Sequence, residues 1–304
     1  MRVVHHEQDS SLPNRNRLRQ HVAPSPVPRS QSERQVTTML LALTAPSGYQ
    51  SALPSVARTL PEAELVHAAL VRKVARGKRV YCPELIGRNE EGQPLDRRHE
   101  HAHVLPLDLD GDGHLDHILI HARSGLGAAA QTAIRSLNRT WTKGGVCDLQ
   151  IAVAGVGDAG QLSTLYGKSH YGKIGRAARR LVGRSDSPSS TTEKTVWQSI
   201  TPFVLPRFLK RSGKNGLEGQ VSAELQSRGL PPAIRVEVLE KESKALRHFV
   251  RVRQRGENPP LPPVDMGLAL RLEFDRSLPA RLLPLALGYA SHFGLGLFAM
   301  KDYE

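Results

Sequence analysis

The sequence is poor in cysteine and in aromatic residues, and it contains no long apolar run. Only Cys82 and Cys147 occur among its 304 residues, which excludes a disulfide framework and a zinc site built from cysteines. No apolar stretch approaches the ~20 residues that a membrane-spanning helix needs, and the N-terminal region lacks the apolar core of a signal peptide. We therefore expect a cytoplasmic protein that does not associate with membranes.

Acidic residues are also scarce relative to basic ones. The chain has 29 Asp and Glu against 42 Lys and Arg, so its formal net charge is +13 and its sequence pI is about 10.1. A charge this far positive predicts a polyanionic partner. Nucleic acid fits better than a membrane because no spanning segment is present.

The order of the predicted elements indicates an α+β fold. Residues 36–157 read as strand, helix, strand, strand, helix and strand, which is the ferredoxin-like or RNA-recognition arrangement. Residues 195–304 approximate a second copy that carries a glycine-rich loop. We therefore expect two tandem ferredoxin-like (RRM-like, βαββαβ) domains. Residues 1–35 are too polar to form a core and predict a disordered tail or linker, and residues 158–194 predict a basic, flexible insertion.

The hydrophobic spacing predicts the individual elements. Helical periodicity predicts helices over Leu60–Lys78, about Gly127–Trp141 and over Leu217–Arg228. Apolar or alternating runs predict strands over Val36–Thr44, Asp148–Val156, Val196–Leu205, Ile234–Leu239, Arg247–Val252, Leu268–Phe274 and Gly296–Met300.

One stretch, residues 99–122, carries most of the candidate chemistry. Two strand-like runs flank an Asp-Gly-Asp-Gly sequence, which is a strong signal for a β-hairpin. Because side chains in a strand have period two, His99, His101 and His103 are expected on one face. A neutral imidazole there can deprotonate a ribose 2′-hydroxyl, whose oxygen then attacks the adjacent phosphate without a metal ion. A solvated strand face would show the same alternation of histidines.

The same stretch offers metal ligands as an alternative. His101 and His103 precede several further carboxylates and imidazoles of the kinds that zinc or manganese binds, namely Asp108, Asp112, His114, Asp116 and His117. Four aspartates and Gly113 also match five positions of an EF-hand loop, but Leu119 stands where its bidentate glutamate is expected. A tight polar turn explains the same residues without an ion.

Two further groups are candidates for contacts with a phosphate chain. In the C-terminal glycine-rich loop, small residues allow backbone N–H groups to approach a phosphate, and His292 adds an imidazole beside Gly288, Ser291, Gly294 and Gly296. The second group is basic: Lys73 ends the first helix, and the remaining residues follow or alternate along predicted strands, namely Arg207, Lys210, Arg211, Lys214, Arg251 and Arg253. Ordinary surface charge explains the second group equally well.

Three stretches together resemble a known family. They read HAHVLPLDLDGDGHLDH at 101–117, VWQSITPFVLPR at 196–207 and LGYASHFGLGLF at 287–298. The chain resembles the RAMP-type endoribonucleases that process CRISPR precursor RNA, in the type I-U (I-G) branch. With the helix at 60–78, the resemblance covers about residue 36 to the end.

The resemblance implies two tandem ferredoxin-like domains and cleavage of repeat RNA by 2′-hydroxyl attack, with neither metal nor other cofactor. It also implies that the product guide RNA stays bound in an effector complex with other CRISPR subunits. By matching position, His101 and His103 are the expected catalytic residues and His292 is the third candidate. The alternatives are a guide-RNA-binding subunit without catalytic activity and a metal-dependent nuclease that uses the His/Asp hairpin.

Overall fold

The computed structural model describes residues 35–76, 79–80, 82–96, 99–141, 148–161, 172–183, 194–254 and 259–301, which belong to one compact unit. Except for Gln35, the predicted N-terminal tail lies outside the described residues.

Within the described ranges the helices and strands alternate along the chain. The helices are α1 (Thr59–Val74), α2 (Pro83–Ile86), α3 (Ala128–Arg135), α4 (Gly172–Val182), α5 (Leu217–Ser227) and α6 (Glu240–Leu246). The strands are β1 (Thr38–Thr44), β2 (Ala75–Arg76), β3 (Arg79–Val80), β4 (His103–Leu107), β5 (His117–His121), β6 (Arg139–Trp141), β7 (Asp148–Gly157), β8 (Thr195–Ser199), β9 (Phe203–Val204), β10 (Arg235–Val238), β11 (Gly267–Leu268), β12 (Leu270–Phe274) and β13 (Phe298–Met300). The coarse prediction of an α+β protein is confirmed.

The first sheet is antiparallel and has the order β4-β5-β1-β7-β6. Its pleat sends Met39 and Leu41 toward α1 and α3, where they join a core with Val66 and Ile134. Leu40 points to the opposite face and packs with a different set of residues. Both faces of β1 are therefore covered, which explains why this strand is apolar from Met39 to Leu43.

Helix α1 packs on the first face of that sheet through apolar residues at helical spacing, among them Ala63, Val66 and Leu70. The predicted helix extended to residue 78, but the observed helix ends at Val74 and the chain continues into β2 and β3. At the start of the helix, the Thr59 hydroxyl donates to the carbonyl of Val56 at 2.7 Å.

The second sheet has the order β10-β12-β8-β13, also antiparallel. Helix α5 packs on it through Val221 and Leu225. Between β12 and β13 the described chain contains only single turns of 3-10 helix, at Ala280–Leu282 and Ser291–Phe293. The glycine-rich loop occupies the end of this connection.

Three further predicted elements differ from the structure. The strand predicted over Arg247–Val252 is wrong, because these residues follow α6 as an irregular segment while β10 already occupies the edge next to β12. The strand predicted over Val196–Leu205 divides into β8 and β9, which belong to different sheets. The helix predicted to reach Trp141 ends at Arg135, and β6 follows.

The described part of the predicted flexible insertion includes a packed helix. Leu181 and Val182 of α4 are buried in a cluster with Leu40 of the first sheet and Leu297 near the second. Arg180 donates from Nε to the carbonyl of Met300 at 2.9 Å. Helix α4 therefore packs where the two sheets approach each other. Among the described residues, no helix is both long enough and apolar enough to cross a bilayer.

Candidate active site

Strand β4 presents a histidine toward the second half of the chain. His103 lies on the same face as Leu105 and Leu107, which pack with residues of the second half. Its partner in the strand pairing is His121, which lies on the same face of β5. Both imidazoles are buried, and Nδ1 of His121 lies 3.0 Å from the hydroxyl of Thr38.

The glycine-rich loop places a fourth imidazole against this end of the hairpin. The ring of His292 stacks on those of His101 and His103, with centroid distances of 4.1 and 3.9 Å and interplanar angles of 7° and 20°. It also stacks on His99 at 5.5 Å, and Nδ1 of His99 lies 3.3 Å from Nε2 of His292. The three histidines named from the sequence as catalytic candidates, together with His99, are therefore one cluster, which we call the histidine cluster.

The geometry also accounts for the position of each ring. The strand begins only at His103, so alternation alone does not align the rings. His101 rests against Gly87, where an added Cβ would lie 2.7 Å from the imidazole. The Gly294 backbone comes equally close to the first half, since its Cβ would lie 2.7 Å from the methyl group of Thr59. Close backbone packing at Gly87 and at Gly294 thus holds the stacked rings in place.

Burial keeps the clustered imidazoles neutral. Desolvation, helped by the charge of Arg228, lowers the pKa of His99 from 6.5 to about 4. Desolvation and the neighbouring histidines hold the pKa values of His103 and His292 well below the ordinary value. The pKa of His121 is lowered to about 3, also mainly by desolvation. At neutral pH these rings are therefore unprotonated.

Arg228, which ends the α5 region, supplies a buried cation beside the cluster. Its Nη1 lies 2.9 Å from Oε2 of Glu224, and the Arg228 side chain is only 2% exposed. Its Nη2 donates to the hydroxyl of Ser291 at 3.0 Å, next to His292. Glu224 in turn accepts from the backbone N–H of Gly288 at 2.7 Å. This network fastens the glycine-rich loop to α5.

A second arginine joins the two halves at the same place. Arg123, just after β5, donates to the carbonyls of Arg228 at 2.9 Å and Leu282 at 2.6 Å. Burial and the charge of Arg228 lower the pKa of Arg123 to about 10, so it remains charged at neutral pH.

A cavity of about 620 Å³ opens next to this pair of arginines. Of the described residues, it is lined by Asp96, His99, Glu100, Arg123, Ser227, Arg228, Gly229, Arg281 and Leu282. His99 is the member of the histidine cluster that borders this space. The cavity therefore combines one neutral imidazole and three arginines, which suit a phosphate group, with two acidic residues, Asp96 and Glu100.

The glycines of the C-terminal loop serve the fold in a way the sequence did not predict. Gly288, Gly294 and Gly296 are buried with φ of 89°, 85° and 60°. Their N–H groups bond to Glu224, to the Ser291 carbonyl and to the Pro202 carbonyl. The predicted contact of these amides and of buried Ser291 with a phosphate chain does not fit this conformation, because their polar groups are engaged inside the chain.

The predicted basic residues fall into two groups. Lys73, Arg207, Lys210, Arg211 and Lys214 are exposed. Arg251 instead pairs with Asp265 at 2.7 Å, and Arg253 pairs with Glu64 at 2.8 Å while lying over the ring of Phe293 at 4.4 Å. The expected row of free arginines on a strand is therefore wrong.

The aspartates of the hairpin turn are explained by the turn itself. Oxygens of Asp108, Asp110 and Asp116 come within 4.8 Å of one another. They accept backbone N–H groups of the turn, including those of Leu109, Gly111 and Gly113. Strand β4 separates them from His103 by roughly 17 Å at ~3.3 Å per residue, so the predicted metal site that joins both ends of the strand is not formed.

Arg123, Arg228 and His121 were not found from the sequence. Each is an ordinary residue in its local context: Arg228 follows a helix, Arg123 follows a strand and His121 ends one. Strand pairing places His121 beside His103, and the packing of the two halves brings Arg123 and Arg228 together next to the cluster. No family model matches the chain, and no curated protein matches it either.

Proposed function

We propose that the protein is a metal-independent endoribonuclease that processes CRISPR precursor RNA and retains the guide RNA. The observation that carries this proposal is the position of His99, which borders a cavity shared with Arg123 and Arg228 and contacts His292. A neutral imidazole beside two arginines is an arrangement that favours 2′-hydroxyl attack on a phosphodiester. The net charge of +13 and the resemblance of three stretches support RNA as the substrate.

The fold gives the proposal further support. Each of the two sheets carries its strands in the order second, third, first and fourth within its half of the chain, counting β1, β4, β5 and β7 or β8, β10, β12 and β13. Two tandem ferredoxin-like domains have this alternation of strands and helices, and such domains commonly bind RNA. The second would lack a full helix in its last connection.

In the proposed reaction, His99 is the general base. Its Nδ1 is engaged with His292, which leaves Nε2 to accept the proton of the ribose 2′-hydroxyl. The bond from O2′ to phosphorus forms as the bond to the 5′ oxygen breaks, and that oxygen leaves with a proton from the imidazolium or from water. Arg123 stabilises the charge on the phosphorane, and the buried Arg228 contributes its positive charge without direct contact. His101 and His103 position the ring of His292.

Incubation of the full-length protein with its repeat RNA in EDTA tests this proposal. Products that end in a 2′,3′-cyclic phosphate and begin with a 5′-hydroxyl would support it. Cleavage that stops in EDTA and returns with manganese would overturn it in favour of a metal-dependent nuclease.

One observation favours the second candidate, a guide-RNA-binding subunit without catalytic activity. His103 is 7% exposed, and desolvation depresses the pKa values of three members of the cluster, as it does for histidines in an ordinary core. Tight, salt-sensitive binding of intact repeat RNA, with no cleavage under any condition, would identify this function. In both cases we propose that the protein acts in the cytoplasm together with other CRISPR effector subunits.

A further inference from the structure

An exposed aromatic residue lies in the most basic loop that the structure describes in the second half. Phe208 is 67% exposed, and the next residue, Leu209, is 44% exposed. Four exposed cations surround them in sequence, namely Arg207, Lys210, Arg211 and Lys214. Residues 206–217 contain no acidic residue, so nothing within the segment neutralises these charges.

This loop, residues 206–216, has a defined shape held by a buried residue. The side chain of Gln220 in α5 is fully buried and accepts the backbone N–H of Arg207 at 3.1 Å. The same amide group donates to the carbonyl of Asn215 at 3.0 Å, which also accepts the N–H of Lys210. The two ends of the loop are thus fixed on one side chain, so Phe208 is presented to solvent at little cost in conformational entropy.

A large exposed ring among cations suits a ligand that carries both phosphates and an exposed base. The cations attract phosphates, and the ring offers a face on which a base can stack. A duplex does not expose the faces of its bases, whereas a single strand does. Tyr49 is more exposed, at 72%, but its immediate neighbours in sequence, residues 46–52, carry no charge. An exposed aromatic ring alone therefore does not provide such a binding surface, because the surrounding cations are also needed.

We propose that loop 206–216 is a binding site for unpaired RNA, in which Phe208 stacks on a base while Lys210 and Arg211 hold the flanking phosphates. This inference rests on RNA being the substrate in the proposed function, and it adds that single-stranded nucleotides of that RNA are recognised away from the histidine cluster.

Binding of an uncleavable oligonucleotide tests the inference separately from catalysis. The probe is a labelled 2′-O-methyl single strand that carries one 2-aminopurine, titrated with the full-length protein. Phe208→Ala should weaken binding about 5- to 150-fold and reduce the quenching of 2-aminopurine. Phe208→Trp should restore both, because the indole also stacks. Tyr49→Ala is the matched control and should bind as the unaltered protein does.

Two further readouts distinguish stacking from charge. Phe208→Ala should leave the salt dependence of binding unchanged, while Lys210→Ala with Arg211→Ala should lower the slope of log K against log salt by about 1.4. A duplex of the same sequence should bind Phe208→Ala and the unaltered protein equally. Single-strand binding that is equally tight in Phe208→Ala would overturn the inference.

The outcomes also separate this inference from the proposed function. If the protein does not cleave repeat RNA but Phe208→Ala loses single-strand affinity, the nuclease proposal fails and the stacking site stands. If the protein cleaves RNA and Phe208→Ala binds single strands normally, only the stacking site fails. Loss of binding to phosphatidylserine vesicles in Phe208→Ala, with oligonucleotide binding intact, would overturn it in favour of a membrane surface.

Discussion

Four neighbouring strands of the first sheet, β4-β5-β1-β7, follow the same order along the chain as the four strands of the second sheet. The two halves differ in the connection that leads to the last of these strands, β7 or β13. In the first half, β5 and β7 are separated by helix α3, which packs on the core, and by the short strand β6. In the second half, the corresponding residues between β12 and β13 form two single 3-10 turns and the glycine-rich loop. The helix that covers a core in one half is thus replaced by a loop in the other.

The loop in the second half has a consequence for the position of His292. A helix would hold residues near 292 against their own sheet, whereas the loop carries His292 across to the histidines of the first half. Glycines with positive φ make that path accessible, because residues with a Cβ are strained there. The candidate active site is therefore a product of the contact between the halves.

The largest effect is expected for the imidazole that borders the cavity. His99→Ala should lower the rate of repeat-RNA cleavage about 10²- to 10⁴-fold, because the general base is removed, while RNA affinity changes little. Single-turnover cleavage and a filter-binding assay measure the two quantities. His248→Ala, which removes an exposed histidine of the second half, is the control and should cleave normally. Equal loss of binding and cleavage in His99→Ala would point to a structural role.

The buried ion pair that fastens the loop should come next. Arg228→Met leaves Glu224 without its cation and Ser291 without its donor, so we expect the free energy of unfolding to fall by about 3 kcal/mol. Urea denaturation followed by circular dichroism gives this value. Arg235→Met breaks an exposed pair of the same half and should cost under about 1 kcal/mol. Similar losses in both variants would show that the loop is not held by Arg228.

Two glycines allow the effect of the contact between the halves on stability to be separated from the effect of backbone strain. Gly294 and Gly111 both have positive φ, of 85° and 79°. An added Cβ meets Thr59 at 2.7 Å in the first case and open space in the second. Gly294→Ala should therefore destabilise by about 2–4 kcal/mol and Gly111→Ala by about 1–2 kcal/mol. If the two variants are equally stable, the loop does not press on α1.

The smallest effect, counted per unit of pH, concerns acid. His99 and His121 have folded pKa values of about 4 and 3, below the unfolded value of 6.5, so the unfolded chain binds more protons between these limits. Stability is complete above about pH 6.5 and falls as the pH decreases, by up to about 1.4 kcal/mol per unit for the buried His121 and by less for the partly exposed His99. His121→Asn should reduce this slope in denaturation series from pH 7 to 4.5. An unchanged slope would mean that His121 is solvated in the native protein.

The extent to which the sequence predicted the structure depends on the range of the interactions. The hairpin and helix α5 follow from local alternation and periodicity, and the three candidate histidines were identified from them. The docking of His292 on residues nearly two hundred positions earlier depends on packing across the halves, which no local pattern reports. Arg228 was missed for the same reason, since its burial comes from elements remote in sequence. The segment at 247–252 was predicted as a strand because its residues alternate, and alternation alone does not show which segments pair in the sheet, here β10, β12, β8 and β13.

The central claim is that an imidazole at the junction of the halves takes a proton from a ribose hydroxyl. The most direct test compares two repeat RNAs that differ by one oxygen, the 2′-hydroxyl at the cut site, with the unaltered protein in EDTA. The account predicts that the complete RNA is cut and that the 2′-deoxy RNA is bound equally well but stays intact. Cleavage of both RNAs at the same position would contradict it.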